Sequence, residues 1–285
     1  MNNFDCVIIG YGPCGISCGI YLKRYGYNPV IIGKDYGALE KAHMIENLYG
    51  AEKLSGIELA KKGIEQAKEF NIPVITDEVL DIEIDQNLEF NVKCKNEEYH
   101  SKTVMLALGK SRNKFYLAKD FEGKGVSYCA TCDGFFYRKK KVGIIGNGLF
   151  MAHELDVLAK MIPDITVFTN GLKLEVEIPE GVKVNTSKIK EFYGNEKLEG
   201  VILDDESKVE IDGMFIALGS QSGFSLASHL GIELDGTDIV VDKDCKTNID
   251  GVYAGGDVIG GLLQVSKAIS DGAIAATAIS KYLKK

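Results

Sequence analysis

Along this chain, short continuous apolar runs alternate with stretches in which apolar residues recur every three or four positions. The two patterns predict strands and helices in turn. Residues 4–10, Phe-Asp-Cys-Val-Ile-Ile-Gly, are short and almost uniformly apolar, as a strand buried in a parallel sheet should be. A helical segment follows to about Arg24, and a second strand is expected at Pro29-Val30-Ile31-Ile32. Ile57, Leu59, Ala60, Ile64, Ala67 and Phe70 give residues 56–70 helical spacing. Residues 72–94 and 99–108 alternate as strands and end on a core strand at 104–109. Residues 110–128 are polar and basic, with Lys110, Arg112 and Lys114, and predict a crossover between domains.

The rhythm then restarts. Residues 141–145 predict a strand, 149–162 a helix and Ile165–Phe168 another strand. Residues 172–219 predict a small antiparallel insertion closing on Met214–Gly219, which echoes 104–109. Strands return over 239–256, and a helix of small residues runs from Ala268 to Tyr282. Two copies of one strand–helix–strand unit predict an α/β fold with two Rossmann-like domains.

Glycines stand at both strand-to-helix turns. In Gly10-Tyr11-Gly12-Pro13-Cys14-Gly15 the first glycine permits a tight turn and the second lets the backbone approach a pyrophosphate. Gly15 lets the helix pack close, with its N-terminus aimed at the phosphates. The next strand ends Ile32-Gly33-Lys34 without the usual ribose-binding acid, so Asp35 or a backbone contact is expected to substitute. The second turn, Gly146-Asn147-Gly148, has Met151 where the third small residue belongs. The strand after it runs into Thr169-Asn170-Gly171, with neither an acid for an NAD ribose nor an arginine for an NADP phosphate. This copy is expected to turn the chain without holding a nucleotide. Gly255-Gly256-Asp257, before the last helix, suits a ribityl chain and pyrophosphate or a plain helix cap.

Composition narrows the chemistry. Apolar residues make up 45% and charged residues 26%, which is globular. A net charge of −8 argues against non-specific binding to nucleic acid or acidic membranes. The start, Met1 to Asp5, has no basic n-region, and no apolar run nears the roughly 20 residues of a span, so a cytoplasmic protein is expected. Seven cysteines in a reducing compartment argue against structural disulfides. Cys129-Ala130-Thr131-Cys132 then reads as redox-active, because the four histidines are too scattered to complete a zinc site, and Asp133 follows as a proton carrier. Cys6, Cys14, Cys18, Cys94 and Cys245 read as small buried residues.

The motifs GYGPCG at 10–15, Glu46-Asn47 in MIENLYG, CATCDGFFYR at 129–138 and AGGDV at 254–258 with Gln264 together resemble the low-molecular-weight thioredoxin reductases, over essentially the whole chain. The resemblance implies a homodimer with an FAD domain in two parts, 1–112 and 239–285, and an inserted central domain at 113–238. Its FAD contacts would fall on Gly10, Gly12, Pro13, Cys14, Gly15, Gly33, Lys34 and Asn47. Further contacts would come from Val79, Ala107, Gly109, Gly256, Asp257, Gln264 and Val265. It makes Cys132 the thiol beside the flavin, Cys129 the thiol that exchanges with thioredoxin, and Asp133 the proton donor and acceptor. Phe135 and Phe136 would dock the partner, although two such aromatics beside an apolar strand also suit a core.

Ordinary members hold NADPH in the central domain on a GxGxxA turn and a cluster of arginines. Met151, the missing arginines, and Leu263 before Gln264 depart from that pattern and resemble the ferredoxin-dependent flavin branch. An acidic ferredoxin would need a basic face, which Arg138-Lys139-Lys140-Lys141 with Lys110, Arg112 and Lys114 offers. The competing expectations are an NAD(P)H-dependent reductase with an atypical site, an FAD-dependent dithiol oxidase, and a flavin redox sensor without turnover.

Overall fold

The computed structural model describes residues 3–109, 115–128, 130–218 and 223–284, in two compact units: 1–110 with 222–285, and 111–221. The first unit opens with strand β1 (Asn3–Ile9), helix α1 (Pro13–Arg24) and strand β2 (Pro29–Gly33), as the apolar pattern predicts. Helix α2 (Gly56–Glu69) starts on a reciprocal cap. The Ser55 hydroxyl accepts from the Glu58 N–H, and the Glu58 carboxylate accepts from the Ser55 N–H, so two otherwise unpaired donors at the helix start are satisfied. Strands β3 (Val74–Thr76), β4 (Val79–Ile84), β5 (Phe90–Cys94) and β6 (Glu98–Leu106) follow.

β3, β2, β1 and β6 run parallel in that order. The period of two sorts their side chains. Val7, Ile9, Val30, Ile32, Val104 and Leu106 face the β4–β5 hairpin, with its Phe90 and Val92. Cys6, Ile8, Ile31 and Met105 face the helical layer.

The second unit carries β7 (Val126–Ser127), α3 (Ala130–Asp133), β8 (Lys141–Ile145), α4 (Leu149–Ala159), β9 (Asp164–Phe168) and β10 (Lys183–Asn185). Then come β11 (Ile189–Tyr193), β12 (Gly200–Leu203), β13 (Lys208–Glu210) and β14 (Gly213–Ile216). Its parallel sheet has the order β10-β9-β8-β14-β7. Phe150, Met151, Leu155 and Leu158 of α4 pack on one face. The antiparallel sheet β11-β12-β13 covers the other through Ile189, Phe192, Val201 and Leu203. The segment 172–219 is therefore not wholly an antiparallel insertion, since β10 and β14 join the parallel sheet.

The chain returns to the first unit earlier than the expected residue 239. Helix α5 (Gly223–His229) buries Leu226 and Ala227 in the same core as Phe90 and Val92, so 223–238 belongs with the first unit by packing. A short hairpin of β15 (Leu234–Asp235) and β16 (Asp238–Ile239) comes first, and within the expected 239–256 the strands shrink to the end of β16 and to β17 (Val252–Ala254). Cys245, at φ 62°, turns the chain between the last two. β17 lies parallel to the second half of β6, whose first half pairs with β5. Helix α6 (Val265–Leu283) starts three residues before the expected Ala268 and lies along α1. Among the described residues no helix is long and apolar enough to cross a membrane.

Candidate functional site

In the first unit, β1 delivers the chain into a turn with no room for side chains. Gly10 has φ +109°, and a Cβ there would stand 2.2 Å from the Ala107 carbonyl oxygen. A Cβ on Gly15 would stand 1.9 Å from the Gly10 carbonyl oxygen. Both positions require glycine, for backbone geometry and for the close approach of α1. Around Gly12, by contrast, nothing lies within 4 Å of a would-be Cβ. Gly12 is the N-cap of α1, no side chain caps that helix, and its first turn holds no acid. Its positive end is thus left for an anion, as a dinucleotide pyrophosphate requires. Gly12 and Pro13 also line a cavity of about 310 Å³, together with Leu39, Ala60 and Val265.

The remaining expected contacts gather around this turn in part. The Tyr11 ring lies over Gly33, where a Cβ would be 2.4 Å from it. Asp35 is exposed, and its Oδ1 accepts from the Gly37 N–H at 2.9 Å. Lys34 Nζ pairs with Glu78 Oε1 at 3.0 Å. Val79 buries its side chain in the core. Cys14 does likewise: its side chain packs under Gly255 and Gly256, and burial drives its thiol pKa well up, with the Asp271 charge adding to the shift. Gly109 has φ +68° at the end of the β6 strand segment.

At the start of α6 two sequence-distant polar residues meet. Asn47 Nδ2 donates to Gln264 Oε1 at 2.9 Å, joining the loop after β2 to the N-cap of α6. One turn on, Lys267 Nζ donates to the Gly256 carbonyl at 3.0 Å and to Asp271 Oδ2 at 2.8 Å. Asp271 Oδ2 also accepts from the Gly256 N–H at 2.9 Å. The N–H and the carbonyl of Gly256, at φ +78°, are therefore both held by one i,i+4 ion pair, which sets the chain leading into Asp257. Lys267 and Asp271 escaped the sequence reading. Their signal is a pair of opposite charges four apart in a helix otherwise built of small residues.

In the second unit Cys129 lies outside the described residues, while Cys132 and Asp133 close helix α3. The Ala130 N–H at the start of α3 donates to Glu154 Oε2 at 2.8 Å. Glu154, 2% exposed on α4, anchors the CxxC turn and was also missed, because a glutamate on a helix reads as solvated. Past the turn, Phe135 and Phe136 are 57% and 66% exposed, so they are surface residues and not core. The Arg138 guanidinium sits 4.2 Å over the Phe135 ring. Arg138, Lys139, Lys140 and Lys141 are all exposed. Lys110, Arg112 and Lys114 lie outside the described residues.

The second glycine turn differs from the first. A Cβ on Gly146 would stand 2.6 Å from the Cβ of Met151, which is fully buried on that glycine. Position 15 of the first turn tolerates no Cβ, whereas position 151 carries one, so α4 stands further from its turn than α1 does. Thr169 is buried, and Asn170, at φ 52°, turns its side chain inward to accept from the Ile189 N–H at 2.8 Å. Neither presents a cation.

The family model of pyridine nucleotide-disulphide oxidoreductases matches residues 4–272. A thioredoxin reductase of Ureaplasma parvum is 30% identical, with 99% of this chain and 97% of that protein covered. Among solved structures, the atypical thioredoxin reductase TRi of Desulfovibrio vulgaris Hildenborough matches with a TM-score of 0.90 and 34% identity, over 99% of this chain and 98% of that one. A ferredoxin-flavin thioredoxin reductase of Clostridium acetobutylicum matches with a TM-score of 0.73 and 29% identity, over the same shares.

Proposed function

The chain belongs to the low-molecular-weight thioredoxin reductase family of FAD-carrying disulfide oxidoreductases, and on that premise we propose that it reduces thioredoxin with electrons from a ferredoxin and not from a nicotinamide. The observation that carries this reading is Met151 seated on Gly146, with Thr169 and Asn170 turned inward beyond it. A nicotinamide dinucleotide needs a close backbone approach, which Met151 on Gly146 does not leave, and Thr169-Asn170-Gly171 after β9 carry no arginine for its phosphate. The resemblance to the ferredoxin-flavin enzyme of Clostridium acetobutylicum supports the same donor.

The first unit suits FAD, since the bare N-terminus of α1 at Gly12 fits a pyrophosphate and the Lys267–Asp271 pair fixes the backbone of Gly256, one residue before Asp257, which would hold the ribityl chain. FAD, when bound, accepts electrons one at a time and passes on a pair to a disulfide. Two ferredoxins then supply the two electrons, and two protons from solvent complete the conversion of one disulfide to two thiols. The chain's own part is thiol chemistry. The Cys129 thiolate attacks one sulfur of the thioredoxin disulfide, and the other sulfur leaves as a thiolate that takes a proton from Asp133. Asp133, now a carboxylate, takes the proton of the Cys132 thiol as Cys132 attacks Cys129 and restores the Cys129–Cys132 disulfide, and the second thioredoxin sulfur leaves as a thiolate that receives that proton. Glu154 holds the backbone of this turn at Ala130. Phe135 and Phe136 offer thioredoxin an apolar face, the four basic residues after them offer an acidic ferredoxin a charged one, and two copies of the chain pair as a dimer.

The test is a choice of reductant. Purified FAD-loaded protein is mixed anaerobically with NADPH, NADH or reduced ferredoxin, with thioredoxin as acceptor. Steady thiol production is expected with ferredoxin alone, and prompt bleaching of the visible flavin band by NADPH would overturn the reading.

A further inference from the structure

The second glycine turn is already occupied by the chain itself. Asn147, between its two glycines, donates from Nδ2 to the Lys173 carbonyl at 3.0 Å and to Glu175 Oε1 at 3.4 Å. The Asn147 carbonyl accepts from the Glu175 N–H at 2.8 Å. Glu175 Oε2 stands 3.3 Å from where a Cβ on Gly148 would be, whereas the matching space at Gly12 is open to 4 Å. The segment is anchored from below as well. Leu174, Val176 and Ile178 pack on the core that includes α4, while Lys173, Glu175 and Glu177 between them are exposed. Gly148 is the N-cap of α4, no side chain caps that helix, and no acid lies in its first turn. The carboxylate nearest its positive end is brought in from this segment.

We propose that residues 172–178, with Glu175 at the tip, are a built-in occupant of this turn that excludes dinucleotide phosphates from the second unit. A pyrophosphate reaches the backbone at the second glycine of such a turn. Here it would have to displace three hydrogen bonds and an apolar-anchored strand of backbone, and to approach a charge of its own sign. Glu175 is thereby a specificity-determining residue: it bars the nucleotide by place and by charge. The inference deepens the ferredoxin reading, because it names what closes the module to a nicotinamide.

The experiment uses the full FAD-loaded chain and titrates ADP-ribose, which carries the pyrophosphate but no hydride, into wild type, Glu175→Gln, Glu175→Ala and the double variant Asn147→Gly/Glu175→Ala, followed by calorimetry. Unchanged FAD content and melting temperature establish folding. Wild type is expected to show no binding at millimolar ADP-ribose. Glu175→Ala should gain at least tenfold in affinity, the double variant should gain more, and Glu175→Gln, which keeps the bulk and loses the charge, should gain less. Ferredoxin-driven thioredoxin reduction should be unchanged in all of them. Wild type binding as tightly as the variants overturns the proposal. So does an equal absence of binding in all four proteins, which would assign the exclusion to Met151 alone. Either result leaves the ferredoxin reading standing, since that one falls only if NADPH bleaches the flavin.

Discussion

Asn47 and Gln264, 217 residues apart in the chain, share a hydrogen bond of 2.9 Å from Asn47 Nδ2 to Gln264 Oε1. It ties the loop after β2 to the first residue before α6, and so holds together two segments expected to contact FAD. Replacing either residue with alanine should weaken FAD binding by about 1 kcal/mol, roughly fivefold. The double variant should cost less than the sum of the two, because the second replacement removes a bond already broken. Fluorescence titration of the apoprotein with FAD measures all three. Strict additivity would show that the two side chains act on the cofactor separately.

Lys267 and Asp271 make a stronger claim on the same region. Removing one partner of a largely buried ion pair strands the other charge, at a cost of about 3 kcal/mol. Lys267→Met leaves the Asp271 carboxylate on the Gly256 N–H without its counter-charge and releases the Gly256 carbonyl. This variant should lose stability in urea denaturation and retain less FAD. Adding Asp271→Asn to it should recover part of the stability, since the amide oxygen can still accept from Gly256 without a net charge. A double variant less stable than Lys267→Met would contradict the clamp.

Glu154 supports the redox turn from below. Glu154→Ala strands the Ala130 N–H in the interior and should cost about 2 kcal/mol. Glu154→Gln keeps an acceptor oxygen and should recover most of that loss. Thermal melting follows the stability, and the rate of thioredoxin reduction follows the placement of the turn. A Glu154→Ala protein with native melting and native turnover would remove Glu154 from this role.

The thiols divide into two sets. Cys6, Cys14, Cys18, Cys94 and Cys245 are buried, and burial pushes Cys6, Cys94 and Cys245 up to about 12 from an ordinary 9.0. A thiolate is the reactive form, so iodoacetamide at pH 8 should label Cys129 and Cys132 in the reduced native protein and leave the other five untouched. Peptide mass spectrometry reads the outcome. The same shifts govern alkaline stability. Between about pH 9 and pH 12 the unfolded chain gives up these thiol protons while the folded chain keeps them. Stability is therefore full below pH 9 and falls as pH rises, by about 1.4 kcal/mol per pH unit for each such thiol. A flat urea midpoint from pH 8 to 11 would contradict these shifts.

What could be read from the residues, and what could not, follows the range of the interactions. The strand–turn–helix units, the glycines at 10 and 15 and the inward face of each strand depend on neighbours a few positions away, and the apolar period displays them. Pairings far apart in the chain leave no local trace, so Asn47 with Gln264, 217 residues away, and Ala130 with Glu154, 24 away, emerged only from the fold. Phe135 and Phe136 were ambiguous for a related reason: an apolar run cannot say which side of it is covered. The assignment of 223–238 to the wrong unit arose because a short helix carries no mark of the sheet it will pack against. Leu226, Ala227 and Ile232, buried with Phe90 and Val92, decide it.

Charge gives the last prediction. Lys139, Lys140 and Lys141 follow the exposed Phe135, Phe136 and Arg138, on a chain whose net charge is −8. An acidic donor is repelled by most such surfaces and steered by a local basic one, which can change association rates by tenfold or more. Replacing all three lysines with glutamate should therefore slow ferredoxin-driven turnover about tenfold at 0.01 M salt, where the screening length is about 30 Å. Near 1 M salt that length shrinks to about 3 Å and the difference should all but vanish. Single-turnover thiol formation from the pre-reduced protein needs no donor and should change much less. A rate equal to wild type at low salt would move ferredoxin docking to another face. Loss of single-turnover exchange at low and high salt alike would give these lysines to thioredoxin.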